Sequence, residues 1–164
     1  MILDINRKLL AIVLIALLFF VTACKKDDSP VEPKITPARG QVVSSTFNGT
    51  FSIPLLQAMV SSISGGEQFK NKILYDVDYY KLVYRTVDFK GKIITVSGAV
   101  FLPKGKNNLS LVSVQHGTQT KRINVGSVNA LNSADGLIAA SLGYFSVVPD
   151  YIGLGESTVL HPYH

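Results

Sequence analysis

The stretch LVSVQHGT at residues 111–118 is an apolar run that leads directly into a histidine, a glycine and a threonine. Further along, GYFSVVPDYIGLGES at residues 143–157 has the same design, because an apolar run again leads into a polar, glycine-containing loop. Short apolar runs bounded by turn residues are typical of strands that are covered on both faces of a sheet. We therefore predict strands at 109–115 and 144–148, each followed by a loop of polar residues.

The segment between these two strands predicts a helix. Apolar side chains recur at helical spacing within residues 132–142, and Gly143 follows as a stop signal. A strand, a helix and a strand joined by short connections form a parallel crossover, which is right-handed in nearly every protein.

Two strands and a helix are predicted before this unit. Residues 75–87 are rich in Tyr and Val, residues 93–102 are rich in β-branched side chains, and Gly91 between them can take a positive φ. These features predict an antiparallel hairpin. Between residues 52 and 63 apolar side chains recur at helical spacing, with Ser52 as the expected cap. The predicted fold class is α/β, an antiparallel hairpin followed by a parallel strand-helix-strand crossover.

The N-terminus has the features of an export signal. Arg7 and Lys8 precede an uncharged apolar run at 9–22, which is shorter than the roughly 20 residues of a transmembrane helix. The single cysteine of the chain, Cys24, comes directly after this run.

A proline-containing segment follows the cysteine. Its three prolines stand among charged and polar side chains, so it buries too little apolar surface to offset the entropy of ordering. The chain therefore divides into a signal peptide at 1–23, a disordered tether at 24–41 and a folded domain at 42–164.

Charge and motif spacing exclude several kinds of partner. The net charge of +5 is scattered along the chain, whereas nucleic-acid-binding proteins more often concentrate basic residues on one face, so no nucleic acid is expected. Thr158 stands where a dinucleotide-binding Gly-x-Gly-x-x-Gly motif needs its third glycine. His161 and His164 have no ligand spacing that is specific for a metal ion. We expect neither a cofactor nor a metal.

The two loop motifs together resemble those of the secretory lipase and esterase branch of the α/β-hydrolases, and the hairpin at 84–103 is similar to the one that opens that family's domain. The resemblance implies a partial α/β-hydrolase sheet, of which the C-terminal half is absent from these 164 residues. It also implies hydrolysis of carboxylic esters. A peptidase of the same fold is an open alternative, because the front half of the domain does not distinguish an ester from an amide.

The resemblance implies that the loop after the third strand is part of an oxyanion hole. The donors would be the backbone N–H groups of Gly117 and Thr118, and His116 would support the loop without acting as the general base. A buried strand end with a tight turn is the structural alternative for this motif.

The resemblance assigns a structural turn to the loop after the fourth strand, at Asp150, Gly153 and Gly155. The family's nucleophile motif, Gly-x-Ser-x-Gly, does not occur in the 164 residues, so no catalytic residue is assigned here. We therefore expect the chain alone to be inactive, with an ester or a lipid as substrate if the site is completed. A non-catalytic surface lipoprotein that binds a partner or a glycan is the alternative from another class.

The sequence VTAC at 21–24 resembles the lipobox of bacterial lipoproteins, which implies that Cys24 is lipidated and anchors the protein to a membrane. Lys25-Lys26-Asp27-Asp28 is similar to signals that send lipoproteins to the outer face of the outer membrane. The expected location is therefore an exported, membrane-anchored one, at the outer membrane or the cell surface.

Strand order predicts one further property. In the family the strands lie in the order 1-2-4-3-5, so the strand at 109–115 has an open edge unless a fifth strand covers it. Open edges with Leu and Val are templates for self-association. We expect poor solubility, pairing through this edge, or fast amide exchange at Val112 and Val114.

Overall fold

The computed structural model of the protein describes residues 38–160. These residues form the strands β1 (Val42–Phe51), β2 (Val77–Val87), β3 (Ile93–Pro103), β4 (Ser110–Ser113) and β5 (Tyr144–Pro149) and the helices α1 (Ile53–Ser61) and α2 (Ala134–Ser141). Short 3-10 helices at Glu67–Lys72 and Ala130–Ser133 lie in the connections. The predicted signal peptide, Cys24, most of the predicted tether, His161 and His164 lie outside the described residues. Within residues 38–160, no helix has the length and apolar character that crossing a membrane requires.

The strands form one mixed sheet in the order β1-β2-β3-β5-β4. The β2–β3 hairpin is antiparallel, and Gly91 in its turn has a φ of 77°, as the sequence predicted. β5 is antiparallel to β3 and parallel to β4, with Ser110 opposite Tyr144. The α/β prediction is therefore confirmed, with a hairpin followed by the β4–α2–β5 crossover.

β1 is a strand that the sequence analysis did not predict. It pairs antiparallel with β2 at the outer edge of the sheet, and two irregularities interrupt its register. Most of its side chains are exposed, so it lacks the alternation of apolar and polar residues that marks a half-buried strand. The pairing begins before β1, because the Gly40 N–H donates to Arg85 O at 2.8 Å and the Arg85 N–H donates to Gln41 O at 2.9 Å.

The cap of α1 differs from the prediction. Ser52 occupies the N-cap position, but its hydroxyl makes no capping hydrogen bond. The Asp76 carboxylate accepts the Ile53 N–H instead, at 2.7 Å. A carboxylate at a helix N-terminus also interacts favourably with the helix dipole. Ser52 therefore stands at the predicted N-cap position, but a residue far along the chain provides the acceptor that its hydroxyl was expected to provide.

The hydrophobic core lies between one face of the sheet and the two helices. Tyr79 on β2 stacks on Phe101 of β3 with ring centroids 5.3 Å apart. α2 packs so closely on the sheet that a Cβ on Gly136 would lie 2.5 Å from Val148 Cγ2. The buried cluster consists of Leu56, Val60, Ile73, Val77, Tyr79, Ala99, Phe101, Ala130, Leu137, Ala140 and Val148.

β4 is more exposed than predicted. The sequence indicated a strand covered on both faces, yet Leu111 is 66% exposed, and its neighbours Ser110 and Ser113 are exposed too. Within residues 38–160, β4 pairs only with β5 and is therefore the edge of the described sheet. Leu111 pairs with Phe145 and so lies on the face of the sheet opposite to Ser146 and Val148, against which α2 packs, so α2 does not cover the Leu111 side chain.

Candidate active site

The two polar loops meet beyond the ends of β4 and β5. Because these strands are parallel, their carboxyl ends lie at the same edge of the sheet, which is where open α/β sheets bind ligands. The His116 ring, after β4, lies 4.2 Å from the Tyr151 ring, after β5, and the ring planes meet at 32°. The two stretches that predicted the fold thus contribute to one site.

Polar contacts of His116 lie within its own loop and towards the loop after β5. Nδ1 lies 2.7 Å from Gly117 O, and Nε2 lies 3.2 Å from Asp150 O. A carbonyl oxygen only accepts and a neutral imidazole has one N–H, so we assign the proton to Nδ1, which makes the shorter contact, and Nε2 then makes no hydrogen bond with Asp150 O. The hydrogen bond that joins the two loops is the one that the Tyr151 hydroxyl donates to His116 O at 3.3 Å.

The N–H groups of Gly117 and Thr118 have no hydrogen-bond partner among the described residues. The carbonyl groups of the same two peptide units are occupied, since His116 O accepts from Tyr151 and Gly117 O accepts from the imidazole. The peptide bonds of the described chain are all trans, and in a trans peptide the C=O and the N–H point in opposite directions. Both N–H groups therefore point away from the groups that bind their carbonyls.

A cavity of about 280 Å³ adjoins this loop. The amide side chains of Gln115, Gln119 and Asn132 contribute to its walls. The hydroxyl of Ser133, which also lines the cavity, is buried without a hydrogen-bond partner among residues 38–160. A Cβ on Gly117 would meet no atom within 4 Å, so the space beside its backbone is open to a ligand.

Asp150 is fully buried beneath the loops and connects three segments. Its Oδ2 accepts from Ser97 Oγ of β3 at 2.5 Å, and its Oδ1 accepts the Ser127 N–H at 3.2 Å. Ser97 Oγ also accepts the Glu156 N–H at 2.8 Å. Both side-chain oxygens of Asp150 are thus engaged by protein donors, as buried polar groups usually are.

The glycines of the second loop occupy conformations that favour glycine. Gly153 has a φ of 94° and Gly155 a φ of 53°. A Cβ on Gly155 would lie 2.3 Å from both Asp150 Oδ2 and Ser97 Oγ. Gly155 also exchanges two hydrogen bonds with Arg122, one from its N–H to Arg122 O and one from Arg122 Nε to Gly155 O, both at 3.0 Å.

Two further contacts hold the surrounding segments. The Lys81 ammonium pairs with the Glu156 carboxylate, and this hydrogen bond and charge lower the pKa of Glu156. The Tyr79 hydroxyl donates to Gly126 O at 2.7 Å. Burial raises the pKa of Tyr79, which keeps the phenol protonated as a donor.

The structure brings His116, Gly117 and Thr118 together with the loop of Asp150, Gly153 and Gly155. Sequence reasoning assigned no role to Tyr151, Ser97 or Ser127. Tyr151 belongs to a motif that was singled out for its aspartate and glycines, whereas Ser97 and Ser127 have no neighbouring signal. Their contacts join residues that are far apart in the chain.

The fold of the described chain is similar to that of several solved structures. A candidate hydrolase from Legionella pneumophila superposes with a TM-score of 0.68 at 30% identity, covering 75% of this chain and 34% of that one. The rice cell wall degrading esterase LipA from Xanthomonas oryzae superposes with a TM-score of 0.63 at 27% identity, covering 78% and 32%. A ligand-bound form of that esterase gives a TM-score of 0.61 at 29% identity, covering 78% and 33%.

The chain has an esterase-like hydrolase fold. It spans about a third of the length of these solved structures. No protein-family model and no curated protein matches the sequence.

Proposed function

We propose that this chain provides the oxyanion-stabilising part of an exported carboxylic-ester hydrolase. The observation that carries the proposal is the pair of adjacent N–H groups on Gly117 and Thr118, which have no partner within the described residues, in a loop whose Gly117 lines an open cavity. In ester hydrolysis the carbonyl oxygen becomes an oxyanion, and preorganised backbone donors that bind this charge lower the barrier. The similarity to an esterase supports the same chemistry.

The described residues hold donors but no assigned nucleophile. None of the 164 residues lies in a Gly-x-Ser-x-Gly motif, so the nucleophile, acid and base of a serine hydrolase are proposed to come from outside this stretch. The chain alone should therefore release no p-nitrophenol burst from p-nitrophenyl butyrate. Stoichiometric labelling of one of its serines by a serine-directed phosphonate would contradict this proposal.

The oxyanion loop is tested directly by ligand binding, which needs no nucleophile. Butylphosphonate is a tetrahedral anion that resembles the charge distribution of the intermediate without reacting. In a 15N NMR titration we expect shifts concentrated at the Gly117 and Thr118 amides. Thr118→Pro removes one N–H donor and should weaken butylphosphonate binding about tenfold, which corresponds to about 1.4 kcal/mol. Thr118→Ser keeps the N–H and should bind butylphosphonate as the unmodified protein does. Equal binding by the two variants would overturn the assignment of Thr118.

A non-catalytic glycan-binding module is the second candidate. The observation that favours it is the set of amide side chains, Gln115, Gln119 and Asn132, around the cavity, because amides donate to and accept from sugar hydroxyls. Shifts at these three side-chain amides with neutral oligosaccharides, together with no response to butylphosphonate, would favour the binding module over the esterase.

The proposed location rests on the sequence at 21–24. Lipidation requires the thiol of Cys24, so Cys24→Ser should abolish acylation and leave the protein unprocessed or in the soluble fraction. Membrane partition after cell fractionation, with metabolic labelling by a fatty acid, measures both properties. A Ser variant that is cleaved normally and still partitions with membranes would contradict the lipoprotein proposal.

A further inference from the structure

Tyr151 has a backbone conformation that its side chain makes costly. Its φ is 67°, in the left-handed region that favours glycine. The same loop uses glycine at its other left-handed positions, Gly153 and Gly155. Strained non-glycine residues persist where the surrounding contacts over-determine them, and they cluster at functional sites.

The side chain of Tyr151 makes two contacts that glycine would lack. Its ring lies against the His116 imidazole at 4.2 Å, and its hydroxyl donates to His116 O at 3.3 Å. Both contacts join the loop after β5 to the loop after β4.

These contacts act on the peptide units that precede Gly117 and Thr118. Tyr151 binds the carbonyl of the first unit, and its ring holds the imidazole that binds the carbonyl of the second. Fixing a carbonyl in a planar trans peptide fixes the direction of the N–H on its other side. The orientation of both N–H groups therefore depends on Tyr151.

We propose that Tyr151 is a positioning residue, which sets the direction of the Gly117 and Thr118 N–H groups through the carbonyl groups of the oxyanion loop. This inference rests on the proposed function, because it assumes that these donors bind an oxyanion. Preorganised donors are effective because they need no reorganisation when the charge develops. The contacts of the Tyr151 side chain offset the energetic cost of its left-handed backbone, and the same contacts preorganise the donors.

The test separates positioning from mere stability. Tyr151→Phe keeps the ring against His116 and removes only the hydroxyl, so the fold should be retained. Tyr144→Phe is the matched control, because Tyr144 is exposed on β5 and its hydroxyl has no hydrogen-bond partner among residues 38–160. Tyr144→Phe should unfold within about 2 °C of the unmodified protein, since it changes an exposed side chain, and Tyr151→Phe should unfold within about 5 °C, since it loses one half-buried hydrogen bond.

The readout is the order of the Gly117 and Thr118 amides without ligand, measured by 15N relaxation. Tyr151→Phe should lower the order parameter of the Gly117 amide, because the hydrogen bond to His116 O is lost, and should affect Thr118 less, because the ring still lies against the imidazole. Tyr144→Phe should change neither amide. In the butylphosphonate titration, Tyr151→Phe should weaken binding about threefold to tenfold, which corresponds to the loss of one hydrogen bond.

The outcomes distinguish the two proposals. If the unmodified protein does not bind butylphosphonate, the oxyanion function fails, while the ligand-free order of the two amides still decides whether Tyr151 positions them. If the unmodified protein binds and Tyr151→Phe matches it in amide order and affinity, the positioning role is wrong. A large loss of thermal stability in Tyr151→Phe would also overturn it in favour of a purely structural role.

Discussion

Two glycines in the contacting loops differ in the space that is available for a Cβ atom. Gly155 has a φ of 53°, and a Cβ there would lie 2.3 Å from two oxygens of the buried network. Gly117 has open space where its Cβ would be. The same substitution should therefore act on stability at one position and on ligand access at the other.

Gly155→Ala should destabilise the protein by about 2–4 kcal/mol, because it adds left-handed strain and displaces Asp150 or Ser97 from their hydrogen bond. Gly117→Ala should change the free energy of unfolding by less than about 0.5 kcal/mol, yet weaken butylphosphonate binding, because the methyl group occupies the approach to the donor. Urea unfolding and the NMR titration measure the two effects. A stable Gly155→Ala variant would show that the network around Asp150 is not tightly packed.

The loop after β5 is also tied to β2, by the ion pair between Lys81 and Glu156. Glu156 is half exposed, so the pair is solvent-screened and should contribute only about 0.5 kcal/mol at neutral pH. Lys81 lowers the pKa of Glu156 below its ordinary value of 4.5. The contribution is therefore present above pH 4.5 and is lost as the pH falls through the lowered pKa.

Glu156→Gln should accordingly lower stability slightly at pH 7 and make no difference at pH values well below the lowered pKa. The difference should shrink in high salt. In a Lys81→Gln background, the same substitution should have no pH-dependent effect, and urea unfolding of the four proteins measures the coupling. A pH-independent loss would indicate that the Glu156 side chain acts through packing.

Periodicity and turn residues predicted the hairpin, the crossover helix and both parallel strands, because each of these elements has its pattern within one short segment. β1 was missed because its exposed Ser, Thr and Asn side chains have no alternation, and only its pairing with β2 makes it a strand. The Asp76 cap of α1 was missed for a related reason, since its partner lies in another segment.

In the candidate site, too, features within one segment were predictable from the sequence, and contacts between distant segments were not. The position of His116, Gly117 and Thr118 after an apolar strand was readable in the sequence. The contact with Tyr151 was not, because it requires the parallel pairing of β4 and β5 to bring two loops together. Local patterns located the loop, and long-range contacts determine the direction of its N–H groups.

Within residues 38–160, β4 is one of the two edge strands of the sheet, and β1 is the other. The Val114 N–H donates to Val147 O of β5 at 2.9 Å, so the sequence-based expectation of fast exchange at Val114 is wrong. Successive N–H groups of a strand point to opposite sides, and the N–H of Ser113 therefore faces the open edge. Together with the exposed Leu111, it forms the template on which another strand can pair.

We expect the protein to associate through this edge at high concentration, with fast exchange of the Ser113 amide in the monomer and slower exchange in the associated form. Ser113→Pro removes the edge-facing donor without touching the bond to β5, because proline is tolerated on edge strands where its nitrogen faces solvent. It should therefore keep the fold and reduce association, as measured by sedimentation velocity over a range of concentrations.

Val114→Pro is the matched control, since it removes the donor to Val147 and should destabilise the sheet instead. If Ser113→Pro associates as strongly as the unmodified protein, another surface must mediate the association. If the unmodified protein stays monomeric and its Ser113 amide exchanges slowly, the prediction that β4 has an open edge is wrong.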